Sequence, residues 1–158
     1  MSAHPKLSAV APAINLPDQN NKMQKLSDYR GQWVLVYFYP KDDTPGCTTE
    51  ACSLRDIFPK LGKLKAIVFG VSTDSVVNHK KFANKYKLPF TLLADDDKKV
   101  VAKYGVWAEK SMYGRKYFGI LRTSFLIDPN GKIVRIYEKV KPAEHAEQVL
   151  KDLKELQQ

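Results

Sequence analysis

The chain has 158 residues, 44% of them hydrophobic, enough for a single domain with one real core. No apolar stretch approaches the ~20 residues that span a bilayer, and residues 1–12 lack the cationic start and apolar run of a secretory signal. Lysine and arginine outnumber aspartate and glutamate by 26 to 17, a formal net charge of +9, which permits only loose attraction to polyanions.

The lysines are spread along the whole chain, with no block of like charge and no recognisable nucleic-acid motif. The expectation is a cytoplasmic protein with a basic, soluble surface, no membrane contact and no specific nucleic-acid partner. Two cysteines in a chain of this length make no disulfide scaffold, and a reducing compartment keeps them as thiols.

Residues 1–12 read as a flexible tail. Ala13 to Leu16 and Lys22 to Leu26 flank an Asn-rich turn and predict a short hairpin. Leu26 to Gly31 is a brief helical turn ended by glycine. Val34 to Tyr39 is apolar without alternation, which predicts a central parallel strand buried on both faces. A helix from about Pro45 to Ile57 is expected to end or kink near Pro59. Ala66 to Ser72 is a second apolar strand. Asp74-Ser75 caps a helix running to Tyr86, and Phe90 to Ala94 is a short strand.

Asp95, Asp96 and Asp97 invite a metal reading, but acidic residues belong at a helix N-terminus. Val100, Val101 and Tyr104 follow at helical spacing, and no calcium-loop spacing appears. The cluster is therefore read as a helix start. Val106 to Gly119 shows no clear period and reads as an irregular connection. Arg122 to Asp128 and Lys132 to Glu138 are strands joined by a turn at Pro129-Asn130-Gly131. From Pro142, Ala146, Val149, Leu150, Leu153 and Leu156 mark an amphipathic closing helix. The order predicts one α/β domain over residues 1–158, a central mixed sheet with helices on both faces.

The stretch richest in chemistry lies between the first long strand and its helix. Pro40, Asp42, Asp43, Pro45 and Gly46 force a loop. Thr44-Pro45 then supplies an N-cap and a proline at the first helical position. Cys47 falls in the first turn, where unsatisfied N–H groups and the helix dipole favour thiolate over thiol. The bland alternative is an inert buried cysteine. The polar, Pro/Gly-rich surroundings argue for a reactive one.

Pro40-Lys41-Asp42-Asp43-Thr44-Pro45-Gly46-Cys47 resembles the Pro-x-x-x-Thr-x-x-Cys signature of the peroxiredoxins. Gly119 to Asp128 is similar to the segment that supplies their active-site arginine, here Arg122. The spacing of Cys47 and Cys52 is similar to the bacterioferritin comigratory protein (PrxQ) subgroup. The resemblance covers roughly residues 8–155 in unbroken order. Ser124 departs from the family's threonine, Asn20-Asn21 from an Asp-Gly turn, and Pro59 interrupts its helix early. None of these touches the implied chemistry.

The resemblance implies a thioredoxin-like fold and a thiol-dependent peroxidase acting on hydrogen peroxide and organic hydroperoxides. Cys47 is then the peroxidatic nucleophile, oxidised to sulfenic acid. Arg122 stabilises the departing oxygen, Thr44 accepts the peroxide proton, Pro40 shields the thiolate, and Glu50 holds the loop or the arginine. Cys52 is the implied resolving thiol, forming an intramolecular disulfide that thioredoxin or a glutaredoxin-type donor reduces.

The cycle calls for no metal, flavin or haem, and needs one chain, so a monomer is expected. His4, His79 and His145 show no ligand or base spacing. On an α-helix the Cα atoms of residues 47 and 52 lie roughly 8.7 Å apart, beyond the ~7 Å limit for a disulfide, so the helix start must unwind. Three alternatives stand beside this: resolution by an external thiol with Cys52 structural, a disulfide reductase lacking the usual Cys-x-x-Cys spacing, and a basic binding module.

Overall fold

A computed structural model describes residues 4–158. Strands β1 (Asn15–Pro17) and β2 (Met23–Lys25) form the expected antiparallel hairpin. Its turn is held by Asp18, whose Oδ1 accepts from the backbone N–H of Asn20 and Lys22 at 2.8 and 3.0 Å. Asn21 takes the left-handed conformation (φ 59°) that asparagine tolerates. A 3-10 turn over Leu26–Tyr29 leads into β3 (Trp33–Phe38).

There follow α1 (Pro45–Lys63), β4 (Ala66–Ser72), α2 (Val76–Tyr86), β5 (Thr91–Ala94) and α3 (Lys99–Lys103). After them come β6 (Trp107–Met112), β7 (Arg115–Ile120), β8 (Thr123–Ile127), β9 (Ile133–Tyr137) and α4 (His145–Leu156). The main sheet has five strands in the order β5-β4-β3-β8-β9. β3, β4 and β5 run parallel, while β8 is antiparallel to β3 and to β9. This is the mixed, thioredoxin-like sheet expected, with β3 at its centre.

The uniform apolarity of β3 follows from that place. Leu35, Tyr37 and Tyr39 point to a core with Leu54, Ile57 and Leu61 of α1, Phe82 of α2, and Val149, Leu150 and Leu153 of α4. Val34, Val36 and Phe38 point the other way, to Phe69, Val100, Val101, Tyr104 and Phe125. Helices thus cover both faces. Among the described residues no helix is long and apolar enough to cross a membrane. Asp95 accepts from the N–H groups of Val100 and Val101 at 3.3 and 2.8 Å, so it works at the start of α3 rather than in a metal site.

Three expectations need correction. Residues 1–3 of the expected flexible tail lie outside the described residues, but residues 8–11 are tied to the sheet edge. Ser8 and Ala11 donate to the carbonyls of Ile133 and Gly131, and Ile133 donates back to Ala9. Helix α1 runs through Pro59 to Lys63; Pro59 faces solvent, where water can serve the carbonyl it deprives, while buried Leu61 keeps the helix on the core. Val106 to Gly119, expected to be irregular, lies almost wholly in a β6–β7 ribbon outside the main sheet. Tyr113 and Gly114 both have positive φ (53° and 78°), the geometry of a tight two-residue hairpin turn.

At the sheet centre Tyr37 lies opposite Gly70, and its ring stacks on Tyr39 and meets Phe90 edge-on. A Cβ on Gly70 would come within 2.8 Å of Tyr37 Cζ and 2.9 Å of Leu92 Cδ2. Neither side chain has free space to yield. Gly70→Ala is expected to cost about 1–3 kcal/mol, read as a lower urea midpoint with an unchanged slope. An unaltered midpoint would contradict this packing.

Candidate active site

The loop from Pro40 to Thr44 is held in place mainly by its two aspartates. Asp42 is buried; its Oδ1 accepts from Tyr39 Oη at 2.6 Å, and its Oδ2 lies 2.6 Å from His79 Nδ1. The Asp42 N–H donates to Asp74 Oδ2 at 2.9 Å, an oxygen that also accepts from Ser72 Oγ at 2.6 Å. His79 Nε2 faces the Leu93 carbonyl at 2.9 Å. Asp42, Asp74 and His79 could group around a cation, but their polar atoms are engaged with one another and with the backbone. They act as a clamp on the loop. Asp43, at φ 57°, accepts from Lys85 and Tyr86 at 2.8 Å each. Those two hydrogen bonds hold its carboxyl below the usual range.

Thr44 takes the N-cap position of α1 in extended conformation, and its carbonyl accepts from Thr48 N–H at 2.8 Å. Its hydroxyl makes no cap hydrogen bond, contrary to the cap expected for this residue. It donates instead to the Lys41 carbonyl at 2.9 Å, which leaves its lone pairs free to accept. Pro45 stands first in the helix as expected, and Pro40 lies half-buried just beyond β3.

Cys47 is 1% exposed and faces the guanidinium of Arg122. Arg122 Nη2 donates to Cys47 Sγ at 3.3 Å, while Nη1 donates to Glu50 Oε1 at 2.8 Å. Glu50 follows Cys47 by one helical turn, so both side chains share a face of α1. Burial opposes the charge on Arg122, but Cys47 and Glu50 outweigh it and raise its pKa. Glu50 is fully buried, and burial pushes its carboxyl up to about 7 despite the opposing pull of Arg122.

His145, at the start of α4, places Nε2 4.0 Å from Glu50 Oε2. Burial and then Arg122 pull its pKa down to about 4, so its imidazole is neutral at neutral pH. Among the described residues, Tyr37 Oη, Glu50 Oε2, Ser124 Oγ and His145 Nε2 are buried without a hydrogen-bond partner. Tyr37 and Ser124 are register partners on adjacent strands, so they share one side of the sheet.

The fold therefore joins Cys47, Arg122 and Glu50 directly, with Thr44 and Pro40 in the adjoining loop. Cys52 stands apart, half-buried further along the same intact helix, and both cysteines are free thiols. The roles of Asp42, His79 and His145 were not read from the sequence. Apart from Asp42 with Tyr39, their contacts join residues far apart in the sequence and carry no local spacing.

The AhpC/TSA family matches residues 7–136. The chain is 49% identical over 150 residues to the peroxiredoxin Bcp of Escherichia coli K12, covering 95% of this chain and 96% of that one. It is 44% identical over 146 residues to the peroxiredoxin Bcp of Bacillus subtilis, covering 92% and 93%. The structure of a Xylella fastidiosa PrxQ mutant superposes with a TM-score of 0.93 at 36% identity, over 99% of this chain and 100% of that one. A Xanthomonas campestris bacterioferritin comigratory protein, described for its alkyl peroxide reduction activity, gives 0.87 at 39% identity over 92% of each chain.

Glu50 makes the fold sensitive to pH. Its carboxyl is raised from the usual 4.5 to about 7, so the folded protein holds that proton more tightly than the unfolded chain. The stabilisation is fully present below about pH 4.5 and is lost as pH rises through about 7, by roughly 3 kcal/mol. Glu50→Gln removes this contribution. As pH rises from about 5 to 8, the thermal unfolding midpoint of the native protein is expected to fall relative to that of the variant. Parallel profiles would contradict the assignment.

Proposed function

The chain belongs to the AhpC/TSA family, among the peroxiredoxins of the Bcp and PrxQ group, and on that premise we propose how its residues divide the work of a thiol-dependent peroxidase. The observation that carries the proposal is the fork of Arg122, one arm on Cys47 Sγ at 3.3 Å and the other on Glu50 at 2.8 Å. It puts a fixed cation at the sulfur, where charge must be balanced before and during attack.

Cys47 attacks, as thiolate, one oxygen of a hydroperoxide. An S–O bond forms as the O–O bond breaks, giving sulfenic acid and an alkoxide or hydroxide that leaves as alcohol or water after taking up a proton. Speed must come from binding the O–O bond and stabilising the departing oxygen. Arg122 supplies N–H donors and charge for that. Thr44, with its hydrogen committed to the Lys41 carbonyl, accepts the peroxide O–H. The free N–H groups at the α1 start complete the cradle, and Pro40 limits water without offering a donor. Glu50 keeps the guanidinium in place.

Cys52 then attacks the sulfenic sulfur, releasing water and forming a disulfide. Both cysteines lie in α1, and ideal helix geometry puts Cα atoms five residues apart at roughly 8.7 Å, more than the ~7 Å a disulfide allows, so residues at the start of α1 unwind first. Thioredoxin, or a glutaredoxin-type dithiol, reduces the disulfide and is oxidised in turn. The cycle runs within one monomeric, cytoplasmic, single-domain chain, without metal or organic cofactor.

Cys47→Ser is expected to abolish peroxide consumption. Arg122→Gln is expected to slow stopped-flow oxidation of Cys47 by about a hundredfold or more; an undiminished rate would remove Arg122 from the mechanism. Amide exchange over residues 45–56 is expected to be faster in the disulfide form than in the reduced protein. Equally slow exchange in both would refute the unwinding step.

A further inference from the structure

Where α1 packs on α4, Glu50 and His145 each bring a buried polar atom that nothing satisfies. Glu50 Oε2 and His145 Nε2 are 4.0 Å apart, and neither has a hydrogen-bond partner. Glu50 is 0% and His145 4% exposed, so water does not compensate at the surface. Leaving such atoms unpaired is costly. A small approach brings them into hydrogen-bond reach, and one proton between them serves both. The imidazole is held for this: Tyr137 of β9 meets it edge-on at 5.1 Å. The His145 backbone N–H donates to the Lys141 carbonyl at 3.1 Å.

The surrounding groups set the charge of the pair. Arg122 touches Glu50 and Cys47 with its two arms. Burial, and then Glu50, raises the Tyr37 phenol on β3 well above its usual range, so it stays neutral. Burial also lifts the Glu50 carboxyl to about 7 against the pull of Arg122. One guanidinium thus faces two groups that can be anionic. In a buried site it is matched best by one negative charge. Peroxide attack removes the charge on Cys47, because thiolate becomes neutral sulfenic acid. Arg122 then has no anion unless Glu50 supplies one.

We propose that Glu50 and His145 form a proton couple that answers to the redox state of Cys47. While Cys47 is thiolate, Glu50 is a carboxylic acid whose Oε2–H donates to His145 Nε2. When Cys47 becomes sulfenic acid, Glu50 becomes carboxylate and Nε2–H donates to it. Neutral imidazole can do both, because either ring nitrogen carries the hydrogen. Oε2 passes its proton to Nε2 as Nδ1 gives its own to water, and His145 lines a surface cleft with Lys141, Glu144 and Gln148. The balance runs from thiolate, hydroperoxide and Glu50 carboxylic acid to sulfenic acid, alcohol and Glu50 carboxylate. The O–O bond breaks, an S–O bond forms, and the departing oxygen takes from water the proton that the couple releases. Negative charge moves from one arm of Arg122 to the other. His145 is thereby a positioning residue, acting through Glu50. This rests on the peroxidase reading above and adds a proton source to it.

The test uses a Cys52→Ser background, which stops at the sulfenic acid, and one equivalent of hydrogen peroxide just below neutral pH. The oxidised-minus-reduced infrared spectrum is expected to lose a protonated-carboxyl band. A pH indicator in weak buffer is expected to show little net proton uptake. With Glu50→Gln added, the band loss is expected to vanish and uptake to rise to about one proton per sulfenic acid. His145→Leu is expected to keep the band through oxidation and to slow sulfenic acid formation about tenfold. His145→Gln, whose amide can accept or donate, is expected to restore the band loss and most of the rate. A merely structural role would lower the melting temperature without moving the band. A full proton taken up with Glu50 intact, or uptake unchanged by Glu50→Gln, overturns the couple. Band loss that persists in His145→Leu overturns the part given to His145. Intact mass is read on every sample. No gain of about 16 Da with Glu50 and His145 intact is a failure of the peroxidase reading itself, and the couple falls with it.

Discussion

The rest of the site depends on one half-buried guanidinium. Arg122 reaches the active site from the connection between β7 and β8 and touches two residues of α1, Cys47 and Glu50. Burying a cation is costly unless its donors find anionic or polar partners of good geometry. Here one nitrogen faces sulfur and another a carboxylate, a division that the planar fork permits and a lysine amine would not. The topology makes this possible. β8 lies antiparallel beside β3, so Thr123 pairs with Phe38 and residue 122 arrives beside the loop that leaves β3.

In the proposed cycle, helix α1 serves two opposed demands. Its start must hold Cys47 against Arg122 in the reduced enzyme, yet yield when Cys52 is to reach the oxidised sulfur. The helix meets these demands with different parts of its length. Leu54, Ile57 and Leu61 anchor the later turns in the core. The first turn has no side-chain cap and no acidic residue. It is held from outside, by Arg122 on one side and by the Asp42–His79 clamp on the preceding loop. Oxidation of Cys47 alters the first of these contacts while leaving the core anchors untouched.

Much of this was legible from residues alone because burial and turn chemistry leave local marks. The unbroken apolar run of β3, the Thr44-Pro45 helix start and the Pro129–Gly131 turn each report their own structure. Other features leave no such mark. The β6–β7 ribbon is exposed at three of six positions in β6 and four of six in β7, so no apolar alternation reveals it, and only Gly114 hints at its turn. Residues 8–11 join the sheet edge through backbone groups, which side-chain patterns do not record. The Thr44 hydroxyl turns back to Lys41, a choice set by loop geometry. Glu50 and His145 meet only because α1 packs on α4, and no spacing along the chain carries that.

The central claim, that Cys47 reacts and Cys52 resolves within one chain, is tested most directly by adding one equivalent of hydrogen peroxide to the reduced protein. Intact mass and free thiols are then measured together. The account predicts a loss of about 2 Da, both thiols gone and no covalent dimer. A gain of about 16 or 32 Da, with Cys52 still titratable, would contradict internal resolution. No change in mass or thiols would contradict the peroxidatic role of Cys47 itself.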